Sequence, residues 1–308
     1  MDISIVIPLF NEDESLPELE AWIKRVMIAH NFSYEIIFVD DGSKDNSEQL
    51  INTLVENNSS IKGFHKQNGG VAAARNYGIE RANGEFVAFC DQDDFWLPTK
   101  LSKQVPLFEN PKVGLVYCGA IADYAHLNKQ DKPSFERKYR GDVFDKLIQV
   151  NMFTCCTAIA RKSLLQETQA FDDERSLMGV DDWLAWLKLS LVCEFDFVPE
   201  HLAIHVFHGD NYSSNEEKMH AAELVCLDKI EPMAEKHNKL VDWNEIKQNL
   251  HVRYANTYVY NGMFNLAGDT LLQASQLKNN KKLSVKGRLF KTVPNFIWRL
   301  MQKIKRAV

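Results

Sequence analysis

The first part of the chain alternates between short apolar runs and longer stretches with helical spacing. Strand-like runs that end in polar or turn residues occur at Ile3–Pro8, Glu35–Val39, Ile61–His65, Phe86–Phe89 and Gly114–Cys118. Between them, the spacing predicts helices near Glu14–Ala29, Asn46–Glu56, Val71–Arg81 and Pro98–Glu109. This alternation predicts an α/β fold with a Rossmann-like, mainly parallel sheet flanked by helices. Because such sheets bind ligands at the carboxyl ends of their strands, the polar loops are expected to form one site.

The pattern is less regular after the fifth strand. The polar segment Ala120–Arg140 is expected to be a mobile loop, and the apolar run Phe153–Ala160 to be another buried strand. A mostly buried helix is predicted at Asp181–Leu191. Two further strands are predicted at Glu194–Val198 and Leu202–Phe207.

From Asn215 onward the spacing is helical. We therefore predict an α/β domain of residues 1–214 and a helical C-terminal region of residues 215–308. The 308 residues carry a net charge of −6, yet Lys278–Val308 contains ten Lys or Arg and no Asp or Glu. The acidic body argues against nucleic acid as a partner, whereas the basic end predicts attraction to an anionic membrane.

The end of the chain has the pattern of an amphipathic helix that begins near Pro294. An apolar stripe is formed by Phe296, Ile297, Leu300, Met301 and Ile304, and a basic face by Arg299, Lys303 and Arg306. Trp298 is expected at the membrane interface. The alternative is that this helix packs on the protein's own acidic body or on a second subunit, which leaves a homo-oligomer open.

Three features predict the cellular compartment. The six cysteines lie in apolar runs without C-x-x-C spacing, which is typical of free thiols in a reducing cytoplasm. The first residues form a strand-like run and not a basic and then apolar leader, so no export signal is expected. No apolar run has the roughly 18 residues of a membrane-spanning helix. We therefore expect a cytoplasmic protein, peripheral on the inner face of the cytoplasmic membrane.

Asp91-Gln92-Asp93-Asp94 follows a buried strand and places carboxylates two residues apart. Such oxygens suit Mg²⁺ or Mn²⁺, which would neutralise charge on a departing nucleoside diphosphate. The alternative is an acidic loop or a helix cap at Asp94.

Two other loops carry candidate binding residues. Asp40-Asp41-Gly42-Ser43 follows the second strand and offers carboxylates for a base or a ribose, or for capping of the next helix. Asn68-Gly69-Gly70 precedes Arg75, where the glycines would allow a close approach of the backbone and the guanidinium would bind phosphate. An ordinary turn followed by a surface arginine is the alternative.

Taken together, these motifs resemble the inverting glycosyltransferases of family 2, which have the GT-A fold. The resemblance covers about Asp2 to Ser214. It includes the opening strand and loop through Glu12, the Asp40-Asp41-Gly42-Ser43 loop, the segment from Asn68 to Phe89 and the Asp91-Gln92-Asp93 motif. It extends to Asp181-Asp182-Trp183, where many members have Glu-Asp, and to the segment around His208.

The resemblance implies a role for each matching residue. A nucleotide-sugar donor would be bound by Pro8, Phe10, Asn11, Glu12, Asp41, Asn68, Gly70, Arg75, Asp91 and Gln92. Asp93 and His208 would hold Mn²⁺ or Mg²⁺, with a structural histidine as the alternative for His208. Asp182, or else Asp181, would be the general base. The family often has Arg where this chain has Val206, so one expected phosphate contact is missing.

Several functions compete with this interpretation. The chain lacks the G-x-G-x-x-G motif of dinucleotide-binding enzymes and the P-loop of phosphotransferases. A nucleotidyltransferase would need a basic, glycine-rich loop where this chain has Asn11-Glu12-Asp13-Glu14. We predict sugar transfer to a lipid-linked or oligosaccharide acceptor in bacterial surface polysaccharide synthesis, such as O-antigen, capsule or lipooligosaccharide. A polyprenyl-phosphate glycosyltransferase and a noncatalytic glycan-binding or scaffold protein are the alternatives.

Overall fold

The computed structural model describes residues 2–13, 16, 18, 19, 21, 32–136, 138–208 and 212–299. The predicted helix Glu14–Ala29 lies mostly outside these residues. The chain divides into two compact units, Met1–Asn211 and Tyr212–Val308.

The first unit contains nine described strands. They are β1 (Ile3–Leu9), β2 (Tyr34–Asp40), β3 (Ile61–His65), β4 (Phe86–Phe89), β5 (Phe95–Trp96), β6 (Val113–Tyr124), β7 (Lys129–Asp131), β8 (Ile159–Arg161) and β9 (Glu194–Val206). The strand order in the sheet is β3-β2-β1-β4-β8-β6-β9-β5, and β7 pairs with β6. Parallel pairing predominates around β1, which lies between β2 and β4. The later strands pair antiparallel, except for β6 with β9, so the sheet is mixed.

The described helices of this unit cover the sheet. They are α1 (Ser47–Asn57), α2 (Val71–Arg81), α3 (Lys100–Gln104), α4 (Phe144–Leu147), α5 (Lys162–Glu167) and α6 (Asp181–Ser190). All residues of β1 and β4 are buried, as expected for strands that are covered on both faces. The α/β class predicted from the sequence is therefore confirmed. The predicted bounds of β3, β4 and α2 are also confirmed.

The prediction of a loop at Ala120–Arg140 is wrong for its first half. Strand β6 continues to Tyr124 and pairs with β7 in a hairpin. The side chains from Ala125 to Gln130 are exposed, so the hairpin tip has no apolar alternation that would reveal it. Backbone hydrogen bonds between the two strands hold this segment instead.

The predicted strand Phe153–Ala160 is also mostly wrong. A 3₁₀ turn at Cys155–Thr157 precedes a strand of only three residues, Ile159–Arg161. The run is apolar because its residues are buried. Apolar character alone does not distinguish a buried strand from a buried turn. The strands predicted at Glu194–Val198 and Leu202–Phe207 form the single strand β9, whose register against β6 shifts where the prediction placed the break.

The described part of the second unit is helical. It contains α7 (Glu216–Lys236), α8 (Trp243–Tyr260), α9 (Phe264–Leu277) and α10 (Lys281–Thr292). Three of these helices begin at a residue whose side chain caps the first turn, namely Asn215, Asp242 and Asn280. None of the described helices has the length and apolar character needed to cross a membrane.

Helices α9 and α10 cross at two glycines. A methyl group added at Gly268 would lie 2.9 Å from the carbonyl oxygen of Gly287, and one added at Gly287 would lie 2.8 Å from the carbonyl oxygen of Gly268. The absence of both side chains lets the helix backbones touch. Phe264 and Phe290 pack beside this crossing, together with Trp298.

Candidate active site

The loops that follow β1, β2 and β4 meet at one edge of the sheet, because these strands are parallel neighbours. The backbone N–H of Phe10 donates to Oε1 of Gln92 at 2.9 Å. The N–H of Asn11 donates to Oγ of Ser43 at 2.8 Å. The structure therefore brings together three of the four loops that the sequence predicted to share a site.

Asp41 connects the fourth loop to the same edge. Its buried carboxylate accepts hydrogen bonds from the N–H groups of Gly69 at 3.0 Å and Gly70 at 2.7 Å. It also binds Nζ of Lys66 at 2.6 Å. Gly70 has a φ of 92°, a conformation that favours glycine, and α2 begins at the next residue. Through these hydrogen bonds, the buried Asp41 holds the backbone of the glycine loop in place.

The predicted donor-binding residues differ in their exposure to solvent. Phe10, Asn11 and Asn68 are exposed, whereas Glu12, Gly70, Asp91 and Gln92 are partly exposed. Pro8, Asp41 and Arg75 are buried. The exposed and partly exposed groups are therefore accessible to a ligand at this edge, and the buried groups lie behind them.

Arg75 connects two carboxylates that are far apart in the sequence. Its Nη2 lies 2.6 Å from Oδ1 of Asp91, and its Nη1 lies 2.6 Å from Oδ2 of Asp181. The guanidinium also lies over the ring of Phe171. Instead of the phosphate contact expected from the sequence, both terminal nitrogens of Arg75 bind carboxylates, because a buried guanidinium needs opposite charge close by. Those carboxylates hold the pKa of Arg75 well above its usual range.

Asp93 and His208 lie side by side. Nε2 of His208 is 3.2 Å from Oδ2 of Asp93, and both side chains are partly accessible. Burial and repulsion from Asp94 and Asp91 raise the pKa of Asp93 to about 6. A divalent cation would relieve this crowding of negative charge, and carboxylate oxygen with imidazole nitrogen is a donor set that Mn²⁺ accepts. The residues present therefore fit the predicted metal.

Asp181 and Asp182 begin α6 but have different surroundings. Asp181 is buried and paired with Arg75, whereas Asp182 is partly exposed. Oδ1 of Asp182 accepts a hydrogen bond from Nδ2 of Asn151 at 3.2 Å. Burial and repulsion from Asp181 raise the pKa of Asp182 to about 7. Asp182 thus has the accessibility and the pKa of a general base at neutral pH.

Sequence reasoning missed the partners of two residues near the site. Asn151 belongs to no motif, and only its contact with Asp182 reveals it. Asp94 was considered as a helix cap, yet its buried carboxylate binds Nδ1 of His205 at 3.0 Å and the N–H of Val206 at 3.0 Å. This contact raises the pKa of His205 to about 9, against the effect of burial. The side chain of Val206 is buried, so this position offers no phosphate contact.

The chain is similar to known glycosyltransferases along much of its length. Residues 4–168 match the sequence profile of glycosyl transferase family 2. An uncharacterised glycosyltransferase of Rickettsia conorii is 30% identical over 191 residues, which are 61% of this chain and 30% of that protein. One from Haemophilus influenzae is 38% identical over 107 residues, or 33% of this chain and 40% of that protein. The match to the Rickettsia protein thus spans under a third of that protein's length.

Solved structures share the fold. TarS from S. aureus superposes with a TM-score of 0.64 at 18% identity, covering 100% of this chain and 92% of that chain. A mannosyltransferase from Pyrobaculum calidifontis, solved with GDP-Man and Mn²⁺, gives a TM-score of 0.55 at 14% identity, covering 94% and 87%. These likenesses confirm the predicted GT-A fold. The chain belongs to glycosyl transferase family 2.

Proposed function

We propose that this protein transfers a sugar from a nucleoside diphosphate to an acceptor hydroxyl, with inversion at the anomeric carbon. The observation that carries the proposal is the bridge from Asp91 through Arg75 to Asp181. This bridge joins the loop after β4 to the first residue of α6, so that Asp182 stands beside the edge where the strand loops meet. A solved TarS complex with UDP-GlcNAc, of the same fold, supports a nucleotide-sugar donor.

The donor would lie against the exposed and partly exposed loop residues. Phe10, Asn11, Glu12 and Asn68 would contact the base and ribose, and Gly70, Asp91 and Gln92 the ribose and diphosphate. Pro8 and Asp41 would support this surface from below, since both are buried. Arg75 would act by holding Asp91 in place and would not contact the phosphate itself.

Asp93 and His208 would hold Mn²⁺ or Mg²⁺ beside the diphosphate. When bound, the cation supplies positive charge that offsets the charge of the departing nucleoside diphosphate. The mannosyltransferase structure with Mn²⁺ supports this assignment by fold. Burial and the two neighbouring carboxylates raise the pKa of Asp93, and the same carboxylates would attract a cation.

Asp182 would take the proton of the acceptor hydroxyl. The acceptor oxygen forms a bond to the anomeric carbon while the bond from that carbon to the phosphate oxygen breaks, and the proton passes to the carboxylate of Asp182. A single displacement of this kind inverts the anomeric centre. Asn151 would orient the carboxylate through its hydrogen bond to Oδ1.

The acceptor is proposed to be a lipid-linked or oligosaccharide intermediate of bacterial surface polysaccharide synthesis. The bacterial sources of the similar sequences support a bacterial pathway. A polyprenyl phosphate acceptor is the competing proposal within glycosyl transfer. Noncatalytic glycan binding is the competing proposal outside it.

Docking on an anionic membrane is proposed for the C-terminal region, and the two described residues of the predicted stripe, Phe296 and Ile297, are exposed. Leu300, Met301 and Ile304 lie outside the described residues, and Trp298 packs against Phe290 and Phe264 instead of facing outward. A helix does follow Pro294. Val285 and Leu289 are further exposed apolar side chains, and exposed cations flank them at Lys281, Lys282, Lys286 and Arg288.

A panel of nucleotide sugars tests the proposed activity. Release of nucleoside diphosphate is measured with Mn²⁺, with Mg²⁺ and with EDTA, for the native protein and for Asp182→Asn. We expect release from one donor that requires the metal and rises with an oligosaccharide or lipid-linked acceptor. Transfer only to polyprenyl phosphate would establish the competing acceptor. Binding of donors without release under any condition would overturn the enzymatic proposal.

Vesicle sedimentation tests the membrane proposal. Deleting α10 is unsuitable, because Gly287 and Phe290 of this helix are buried. The triple variant Lys282→Glu, Lys286→Glu, Arg288→Glu keeps the helix and reverses its charge. We expect it to lose sedimentation with anionic vesicles at low salt. A control variant replaces the exposed Lys112, Lys129 and Lys132 by Glu, which reverses the same number of charges elsewhere. It should sediment as the native protein does. Equal sedimentation of both variants would refute docking through α10. Self-association of the native protein would favour a second subunit, and not a membrane, as the partner of this segment.

A further inference from the structure

A buried cluster of mixed donor atoms lies behind the proposed Mn²⁺ or Mg²⁺ site. It consists of Asp94 in the β4–β5 loop, Cys156 in the 3₁₀ turn and His205 in β9. One carboxylate oxygen, the thiol sulfur and one ring nitrogen all lie within 4.8 Å of one another. Asp94 and Cys156 are fully buried, whereas His205 is partly exposed.

The surrounding contacts hold these three side chains in fixed positions. Nδ1 of His205 is 3.0 Å from both carboxylate oxygens of Asp94, and Sγ of Cys156 lies within 4.8 Å of the same carboxylate. The backbone N–H of Val206 donates to Asp94, and Oγ1 of Thr154 lies 3.1 Å from Sγ of Cys156. Outer contacts of this kind orient the ligands in metal sites.

We propose that Asp94, Cys156 and His205 form a site for Zn²⁺ that is distinct from the hard-cation site of the proposed function. Thiolate, imidazole and carboxylate are the three ligand types that zinc takes in proteins, and three protein ligands leave a fourth position for water. Asp93 and His208 offer no sulfur, so Mn²⁺ and Mg²⁺ prefer that pair while zinc prefers the cluster with the thiolate.

A zinc site of this composition buries no net charge. Zn²⁺, one carboxylate, one thiolate and one neutral imidazole sum to zero, and the proton of the thiol passes to solvent when the metal binds. The large cost of burying an isolated ion is therefore avoided.

The partly exposed ring of His205 gives the route of entry. Because Asp94 and Cys156 have no exposed surface, the ion must pass the imidazole edge to reach them. Bound zinc would join the β4–β5 loop, the 3₁₀ turn and β9, three segments that are distant in the sequence. It would therefore stiffen the base of the loop that carries Asp93.

Cobalt titration of the metal-free, full-length protein tests this proposal. Co²⁺ replaces Zn²⁺ in such sites and gives a near-ultraviolet charge-transfer band only when a thiolate is bound. We expect the band to saturate at one Co²⁺ per chain and to disappear when Zn²⁺ is added. The other described cluster of possible ligands, Asp40, Glu48 and His65, contains no sulfur and cannot produce the band.

Matched variants locate the thiolate. Cys156→Ser should abolish the band, whereas Cys193→Ser, which removes a partly exposed thiol elsewhere in the same unit, should retain it. His205→Gln should weaken Zn²⁺ binding by about 10² or more, since one of three ligands is lost. Asp93→Asn should leave the band unchanged. Circular dichroism in the absence of metal confirms that each variant is folded.

Three results would overturn the zinc site. They are the absence of the band in the native protein, its persistence in folded Cys156→Ser, and its loss in Asp93→Asn. None of these measurements depends on sugar transfer. The failure of the zinc site and the failure of the proposed glycosyltransferase activity are therefore separable.

Discussion

A histidine pair in the helical unit and the carboxylates at the sheet edge are ionisable groups held in different ways. In the helical unit, His220 contacts the hydroxyl of Tyr258 at 3.1 Å and Nδ1 of His251 at 3.0 Å, and burial lowers the pKa of both histidines. These groups are held neutral, as expected for a structural core. At the sheet edge, Asp93 and Asp182 have raised pKa values of about 6 and about 7, because each is buried and also lies near other carboxylates. Burial acts on both the histidines and the carboxylates, and the crowding of like charge is the feature that is found at the sheet edge and is common at ligand sites.

The largest expected effect is the loss of sugar transfer on replacing Asp182. Asp182→Asn keeps the shape and removes the proposed base, so transfer should fall by about 10² to 10⁴. Donor affinity, measured by calorimetry, should change little, because the donor contacts lie in other loops. Asp181→Asn tests the alternative assignment of the base to Asp181. If it abolishes transfer with the fold intact while Asp182→Asn does not, the base has been assigned to the wrong carboxylate.

Replacing the buried guanidinium of Arg75 tests the role of this side chain. Arg75→Met leaves Asp91 and Asp181 without their partner, which should lower the free energy of unfolding by about 3 to 5 kcal/mol. Urea denaturation measures the change. Arg81→Met, at the other end of α2, removes a partly exposed arginine and should cost about 1 kcal/mol or less. Equal losses in the two variants would mean that the carboxylate bridge adds nothing to stability.

The proposed metal ligand can be tested by a neutral replacement. Asp93→Asn should lower turnover by about 10² or more, because a charged metal contact is lost. The concentration of Mn²⁺ needed for half-maximal turnover should rise. Asp131→Asn, in the β6–β7 hairpin, serves as the control and should behave as the native protein. Normal turnover with an unchanged Mn²⁺ requirement in folded Asp93→Asn would remove Asp93 from the metal site.

Mild acid should destabilise the helical unit in particular. The pKa of His220 is about 4 in the folded protein, below its ordinary value of 6.5. Between these values the unfolded chain binds the proton and the folded one does not, so stability falls as the pH drops from 6.5 towards 4. The loss should be about 1 to 3 kcal/mol. Hydrogen exchange of the amides in 212–299 measures it, and His220→Asn should flatten the dependence. An equally steep dependence in His220→Asn would contradict this origin.

The pH dependence of transfer should follow Asp182. At saturating metal, kcat/KM should rise about tenfold per pH unit up to about 7 and then level off, because the base must be deprotonated. Asp181→Asn removes the neighbouring negative charge and should shift this rise to lower pH. A profile that is flat between pH 5 and 8 would show that no group of this pKa limits the reaction.

The sequence predicted the local features of the site but not the contacts between distant residues. Periodicity located β1 to β4 and α2, and turn chemistry located the loops at their ends. The partner of Arg75 lies 106 residues away in the sequence, and that of Asp94 lies 111 residues away. No local pattern encodes such pairs. This is why Arg75 was expected to bind phosphate and Asp94 to cap a helix.

The same limit explains the errors at the hairpin and in the C-terminal region. The pairing of β6 with β7 depends on backbone hydrogen bonds, which leave no apolar alternation in the exposed residues from Ala125 to Gln130. Trp298 was expected at a membrane interface because it lies in an amphipathic segment with an apolar stripe and a basic face. The aromatic cluster with Phe264 and Phe290 decides its direction, and that cluster forms only when three helical segments come together.

The crossing of α9 and α10 should be visible in the natural variation of this chain. A side chain at Gly268 would collide with the backbone at Gly287, and the reverse also holds. Two helices that touch in this way can accept a larger residue at one position only by moving apart, which would open the packing around Phe264. Related chains should therefore keep both positions small or enlarge both together with a compensating change at Phe290. Coupled substitution at these two positions would reveal the helix register from aligned sequences alone.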